Sequence, residues 1–353
     1  MNNTKTDYII VGQGLAGSML AFELVERGCH VKIFDAGKGN SSSLVAAGIF
    51  NPLIAKRLTL TWLAEILTDF NYQYYPGLQV KLNQIFFHPL TSWLSFDSVA
   101  QQNDWEGRLA NPAFKRFVFE NPSTPPKDQL DFSYGGIKIK DAGYVDTKIL
   151  LAAFAEYFRK HDCLVQEHFE SEKLGFSAHS VHYKGLTAKK IIYCDGYHNS
   201  LNRFFSYLPY KPVKGELIDI VSEDLKLDCI YQKGIYLVPL GDGKYRIGAT
   251  YQWSELNENT TEAGKNWLKG KLDEVIKVPY RLESQHAGIR PATYDRRPFI
   301  GTHPYQNQVM VFGGWGSKGV FLIPYFAQHL SEHLLNNQNI MKEVDIGRVA
   351  RKS

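Results

Sequence analysis

Residues 7–35 read DYIIVGQGLAGSMLAFELVERGCHVKIFD, and this one stretch decides the fold. Tyr8-Ile9-Ile10-Val11 is a continuous apolar run, the pattern of a parallel strand covered on both faces rather than the alternation of a half-solvated one. Gly12, Gly14 and Gly17 follow. At this spacing the first permits a tight turn, the second lets a pyrophosphate approach the backbone, and the third lets the next helix pack closely on the strand. The apolar pattern predicts that helix from about Leu15 to Glu26, stopped by Gly28. Its amino end offers unpaired N–H groups and a positive dipole end, suited to phosphate. Val31-Lys32-Ile33-Phe34 then makes a second strand closed by Asp35, whose carboxylate is placed to hydrogen-bond a ribose hydroxyl. Strand, glycine turn, helix and acid together read as a dinucleotide-binding βαβ unit. The motif alone does not separate NAD from FAD.

The composition is that of an ordinary globular protein. With 353 residues, 44% of them hydrophobic and 22% charged, the chain has enough length for a large core in one to three domains and is far from disordered or membrane compositions. Aromatics at 13% serve a packed core or an apolar pocket. A net charge of +4 with scattered basic pairs such as Lys115-Arg116 and Lys189-Lys190 gives nucleic acid only weak support as a partner. The four cysteines, Cys29, Cys163, Cys194 and Cys229, match neither a zinc spacing nor a CxxC pair, and read as reduced thiols of a cytoplasmic protein. No signal-peptide pattern and no apolar run long enough to span a bilayer is found. The eleven histidines assign no metal site and no Ser-His-Asp arrangement.

Beyond Asp35, residues 36–53 form a Gly/Ser-rich loop followed by Ala46-Ala47-Gly48, small residues past which a flat ring or a phosphate would fit. RLTLTWLAEILTDFNYQYY has helical spacing, residues 86–142 look mainly β, and TKILLAAFAEYFRKHD reads as a helix. AKKIIYCDGYHNS reads as a strand ending in a glycine turn. IYLVPL and YRIGATY, joined through GDGK, form a hairpin. The expected class is α/β, α+β overall: a Rossmann-like nucleotide domain from residues 1–85, 143–211 and 286–353, and a mainly antiparallel β substrate domain from residues 86–142 and 212–285.

Eight stretches, in order, carry a resemblance: IIVGQGLAGSMLAFELVERG, AAGIFNP, GYVDTKILLAAF, CDGYHNS, PVKGELI, YLVPLGDGKYRIGATY, AGIRPATYDRRPFIG and GWGSKGVFLIP. Together they resemble the FAD-dependent D-amino acid oxidase/glycine oxidase family over nearly the whole chain. GWGSKG is also similar to the FAD oxidase domain of the bifunctional enzyme that modifies the tRNA wobble uridine, which implies a stand-alone oxidase here. The chain departs from the family at Cys194, where alanine is usual, and carries no cysteine near its C-terminal glycines, which implies non-covalent FAD.

The resemblance implies that Gly12, Gly14, Leu15, Ala16 and Gly17 take the pyrophosphate, and that Asp35 and Ala36 take the adenosine ribose. Ala46, Ala47, Gly48, Gly196 and the stretch Gly314, Gly316, Ser317, Lys318, Gly319 and Val320 then surround the rest of the flavin. A helix starting near Gly319 would aim its amino end at the flavin carbonyl. Lys318 adds charge there or assists oxygen reduction; a solvent-facing lysine is the alternative.

Arg290 sits among apolar neighbours and needs a partner, because an unpaired buried charge is costly. Its fork geometry suits a carboxylate, and the family's matching arginine binds the substrate carboxylate, with a structural salt bridge as the alternative. Tyr236 matches a tyrosine that helps hold the same carboxylate, or else is a packing residue. Arg296 and Arg297 beside Asp295 read as a solvated cluster.

The implied chemistry is oxidation of a C–N bond of a small amino acid or N-substituted amine, with hydride passing to flavin N5 and electrons going on to oxygen or another acceptor. Three other readings stand beside it: dehydrogenation of a 2-hydroxy acid, oxidation of carboxymethylaminomethyl-modified tRNA, and a non-enzymatic flavin-fold scaffold or subunit.

Overall fold

The computed structural model describes residues 4–37, 41–54 and 57–349. The chain opens with β1 (Thr4–Val11), α1 (Leu15–Glu26) and β2 (Val31–Asp35), with Gly28 at φ +80° just past the helix. The stretch expected as a loop over residues 36–53, of which residues 38–40 lie outside the described residues, carries α2 (Ser42–Val45), β3 (Ile49–Phe50) and the start of β4 (Leu53–Ile54). The Ser41 hydroxyl caps that single helical turn by accepting from the Leu44 N–H. Next come β5 (Thr59–Leu60), α3 (Ala64–Leu82) and β6 (Phe87–Ser95), then α4 (Val99–Arg108) and α5 (Pro112–Lys115). The two last helices lie inside the region read as mainly β. Ser98 and Asn111 cap them, and Pro112 opens the second, so local capping outweighs the strand-like composition around them.

The chain continues through β7 (Gly136–Val145), α6 (Thr147–Lys160), β8 (Leu164–Gln166), β9 (Gly175–Phe176), β10 (Val181–Tyr183) and β11 (Leu186–Tyr193). There follow β12 (Val213–Val221), β13 (Cys229–Lys233), β14 (Ile235–Gly241), β15 (Lys244–Gly248), α7 (Glu262–Asp273) and β16 (Arg281–Arg290). The described chain ends in β17 (Phe299–His303), β18 (Gln306–Gly313) and α8 (Gly319–Asn336), followed by a short C-terminal segment.

The first sheet runs β17-β18-β11-β1-β2-β8, with β10 and β9 extending from β11. Strands β18, β11, β1, β2 and β8 are mutually parallel. Adjacent residues of β1 show why its apolar run is unbroken: Ile9 packs into one core and Ile10 into another, on opposite faces, and both are fully buried. Helices α1, α6 and α8 cover the Ile10 face with Leu20, Phe154 and Phe326 among the core residues.

The second sheet runs β16-β12-β15-β14-β13-β6-β7-β3 and is antiparallel except where β13 lies parallel to β6. The expected hairpin is β14–β15. One face packs on α7 through Ile218, Leu237, Ile247, Leu268 and Leu272. The opposite face, carrying Gly215, Leu217, Tyr236 and Arg290, looks toward the carboxyl edge of the first sheet.

The segment between β15 and α7 crosses that opening and is pinned by buried polar groups. Lys214 and Gln252 exchange backbone hydrogen bonds, and the Lys214 ammonium donates to Asn257 at 2.9 Å. The buried Glu216 carboxylate accepts from the Thr261 N–H at 2.9 Å, the Thr261 hydroxyl at 2.7 Å and the Gln285 amide at 2.7 Å. Thr261 in turn caps α7. Truncation of this carboxylate strands three donors and weakens a helix start. Glu216→Ala is therefore expected to lower unfolding free energy by about 2–4 kcal/mol, with Glu216→Gln losing about half as much, measured by urea titration.

Candidate active site

A cavity of about 530 Å³ lies between the carboxyl edge of the first sheet and the face of the second. This is where parallel α/β sheets hold ligands, because helix amino ends and strand carboxyl ends converge there.

One end is built on the glycine turn. Gly12 has φ +97° and lies against the main chain of the neighbouring strand's exit, where a Cβ would meet the Cys194 carbonyl at 2.9 Å. A Cβ on Gly17 would sit 1.9 Å from the Gly12 carbonyl oxygen, so α1 seats directly on the turn. Gly14 caps α1 without a side chain, and the Leu15 N–H points to the Ser43 hydroxyl at 3.1 Å. Asp35 accepts from the Gln13 N–H at 2.6 Å and the Gly37 N–H at 2.7 Å, which fixes its carboxylate at the cavity wall next to Ala36. Gly14, Leu15 and Ala16 line the cavity here, as do Cys194, Asp195 and Gly196 from the exit of β11.

The middle is walled by Ala46, Ala47 and Gly48 on one side and by Gly316, Ser317, Gly319 and Val320 on another. Gly48 has φ +65°, and a Cβ there would fall 1.9 Å from the Val145 carbonyl; the Val145 N–H donates to Gly48 O at 2.9 Å. Behind this wall the Arg246 guanidinium makes two 2.8 Å bonds to Asp219 and a 3.4 Å bond to Ala46 O. Helix α8 begins at Gly319, so its amino end is part of the wall.

Among the residues named from sequence for the cofactor, Gly17, Gly314 and Lys318 do not line the cavity. Gly17 acts from beneath, as described. Gly314 has φ +84° and turns the chain against Thr293 and Phe299. The Lys318 ammonium donates to the Thr61 hydroxyl at 3.1 Å, which donates to Asn51 O at 2.9 Å, so the side chain is neither solvent-facing nor in the wall. Burial pulls its pKa down to about 8.

At the far end stands Arg290. Its guanidinium donates to Thr250 O at 3.2 Å and lies over the Tyr251 ring at 4.4 Å. Among the described residues it forms no ion pair. Room for it comes from Gly215, where a Cβ would lie 2.1 Å from the guanidinium. Gly248 does the same for Tyr236, whose hydroxyl occupies the place of a Cβ at 2.3 Å. Burial pushes the Tyr236 phenol up to about 12 against the opposing pull of the Arg290 charge, so it stands as a neutral donor at physiological pH.

Sequence reading did not single out Gly215, Gly248, Thr250, Tyr251 or Arg246. Glycines inside otherwise apolar strands were the signal available for the first two. Of the cluster read as solvated, Asp295 and Arg296 are exposed, with Asp295 pairing with Arg348 at 3.0 Å, whereas Arg297 is half-buried and packs over the Trp62 ring at 4.3 Å.

FAD fits these residues. The turn that a phosphate approaches has no side chain at Gly12 and Gly14, the wall at Gly48 and Gly316 is bare backbone, and the lining residue Trp315 carries a buried indole N–H without a hydrogen-bond partner among the described residues.

Comparison with known proteins agrees. The family described as FAD dependent oxidoreductase matches residues 7–333. Glycine oxidase of Pseudomonas putida is 24% identical over 94% of this chain and 95% of its own length. The tRNA 5-methylaminomethyl-2-thiouridine biosynthesis bifunctional protein MnmC of Marinobacter nauticus is 23% identical over 97% of this chain, which spans 58% of that protein's length. Among solved structures, glycine oxidase from Geobacillus kaustophilus superposes with a TM-score of 0.78 at 22% identity, covering 96% of both chains. Iminodiacetate oxidase from Chelativorans sp. BNC1 gives 0.75 at 19% identity, covering 95% of this chain and 97% of its own.

Alanine is the better helix former, so Gly17→Ala tests the seat of α1 alone. The variant is expected to lose about 1–3 kcal/mol of stability by urea titration and to purify with a flavin-to-protein absorbance ratio well below that of the parent.

Proposed function

The chain belongs to the family of FAD dependent oxidoreductases, and from that premise we propose that it oxidises the C–N bond of a small carboxylate-bearing amine, a free or N-substituted amino acid. FAD, held non-covalently, supplies the two-electron acceptor. The observation that carries the reading is Arg290: a guanidinium at a cavity wall, given space by Gly215, held by Thr250 O and Tyr251, and paired with no carboxylate of the described residues.

Arg290 binds the substrate carboxylate through its paired N–H donors, and neutral Tyr236 adds a hydroxyl donor. With the carboxylate held at this end, the rest of the substrate extends into the cavity that Ala46, Ala47 and Gly48 also line. Orientation is then the chain's main contribution to rate. Glycine and iminodiacetate, named in the relatives, are both amines that carry a carboxylate.

A second reading has one observation behind it. Tyr251, Trp253 and Tyr294, on the segments that follow β15 and β16, are 59%, 60% and 78% exposed, surfaces on which bases of modified tRNA would stack. The likeness to the bifunctional tRNA-biosynthesis protein points the same way.

The test is the visible spectrum of the purified protein, followed without oxygen as glycine, sarcosine, D-amino acids, L-proline and 2-hydroxy acids are added. Bleaching by an amine supports the first reading and bleaching by a hydroxy acid replaces it. Bleaching by modified tRNA alone would favour the second. For the bleaching amine, Arg290→Gln is expected to keep the flavin band and raise the half-saturating concentration by roughly 30- to 150-fold, the value of about 2–3 kcal/mol for a charged pair of hydrogen bonds. Gly215→Ala should produce a similar loss with the charge intact.

A further inference from the structure

The dinucleotide end of the cavity is poor in cations. Among the described lining residues Arg290 is the one arginine or lysine, and it stands at the other end, whereas Asp35, Asp195 and Glu258 contribute carboxylates and His168 and His198 imidazoles. A dianionic diphosphate must therefore be held by the N–H groups and dipole of the glycine turn and α1, beside acids that oppose it.

Asp35 and Asp195 leave the strands on either side of β1, so they flank the turn. Their situations differ. Both oxygens of Asp35 are engaged by backbone N–H groups. The basic group beside Asp195 is the His198 ring nitrogen at 3.9 Å, beyond hydrogen-bond reach, and the Asp195 main chain touches Gly12: its Cα lies 3.3 Å from where a Gly12 Cβ would be.

We propose that Asp195 couples FAD retention to proton uptake: it sits beside the diphosphate as the neutral acid, so loading the cofactor takes up a proton. From the protein's own groups alone, desolvation and the Asp35 charge push this carboxyl up to about 6, against the pull of His198 and His168. A dianion placed alongside pushes it further the same way. Between the empty and loaded pKa values the loaded state holds one more proton, so FAD affinity falls as pH rises above about 6, by up to about tenfold per pH unit. The groups that act on Asp195 are Asp35 at the end of β2, His168 after β8, and Tyr197 and His198 in the turn that follows it; Glu258, from the segment before α7, acts on Tyr197 and lines the same cavity. Protonated imidazoles would also favour the diphosphate, so the experiment must separate them.

Holoenzyme is dialysed to equilibrium against dilute FAD at pH values from about 6 to 9, and bound flavin is read from its visible band. The parent is expected to lose affinity by about tenfold or more between pH 6 and 8. Asp195→Asn should retain FAD nearly independently of pH and bind it about tenfold tighter than the parent at pH 8. The double variant His168→Gln, His198→Gln should keep the parental slope. The inference is overturned if Asp195→Asn keeps that slope, if it binds FAD more weakly than the parent at pH 8, which would make Asp195 a ribose acceptor, or if the double histidine variant is the one that turns flat.

Discussion

Helix α1 sits as close to the end of β1 as main chain allows, with the Gly12 carbonyl filling the space a Gly17 side chain would need. Everything at the dinucleotide end follows from that contact. It sets where the helix amino end points, and it places the exits of β2 and β11 on either side of the turn. Helix α8 packs on the same layer through Phe326 and Leu330, so its own amino end at Gly319 reaches the same cavity from the other side. Two helix amino ends thus converge on one opening, an arrangement suited to a long anionic cofactor with an electron-accepting ring.

The second sheet solves a different problem, which is to keep a guanidinium half-buried without an anion of its own. An isolated charge in an apolar wall is costly. The chain lessens that cost with a backbone carbonyl at Thr250 and the face of Tyr251, and gives the fork no carboxylate among the described residues. Two strands away on β15, Arg246 is treated in the opposite manner: Asp219 neutralises it with two hydrogen bonds, and its remaining reach goes to Ala46 O, which steadies that wall. One arginine is left without an anion among the described residues, the other is committed to Asp219.

Local signals made the first of these problems legible in the sequence and the second only in part. The β1–α1–β2 unit, the β14–β15 hairpin and the start of α8 at Gly319 are written in apolar runs and glycines that act within a few residues. Arg290 stood out because its neighbours Ala287 and Ile289 are apolar. What decides how Arg290 is held lies across strands: Gly215 on β12 and Thr250 beyond β15 meet it through pairing over dozens of residues, and no local pattern announces which glycine faces which side chain. Lys318 shows the same limit. Its position beside Gly319 suggested a flavin neighbour, but its long side chain reaches back to Thr61, a contact set by the packing of α3 and α8. Likewise, the carboxylates of Asp195 and Glu258 share a cavity with Asp35 only because sheet order and the crossing segment before α7 bring them there.

The wiring of the sheets has a kinetic consequence. Strands β1 and β18 stand one strand apart, on either side of β11, yet nearly the whole chain separates them in sequence. The second sheet joins β6 to β13 in parallel across more than a hundred residues in the same way. Neither sheet therefore has a local fragment that closes a core by itself, and much of the loop-closure entropy is spent before the strands that repay it arrive. Such a chain assembles late and as a unit, and until β18 and α8 dock, the apolar faces of β1 and β11 stay open to solvent and to other chains.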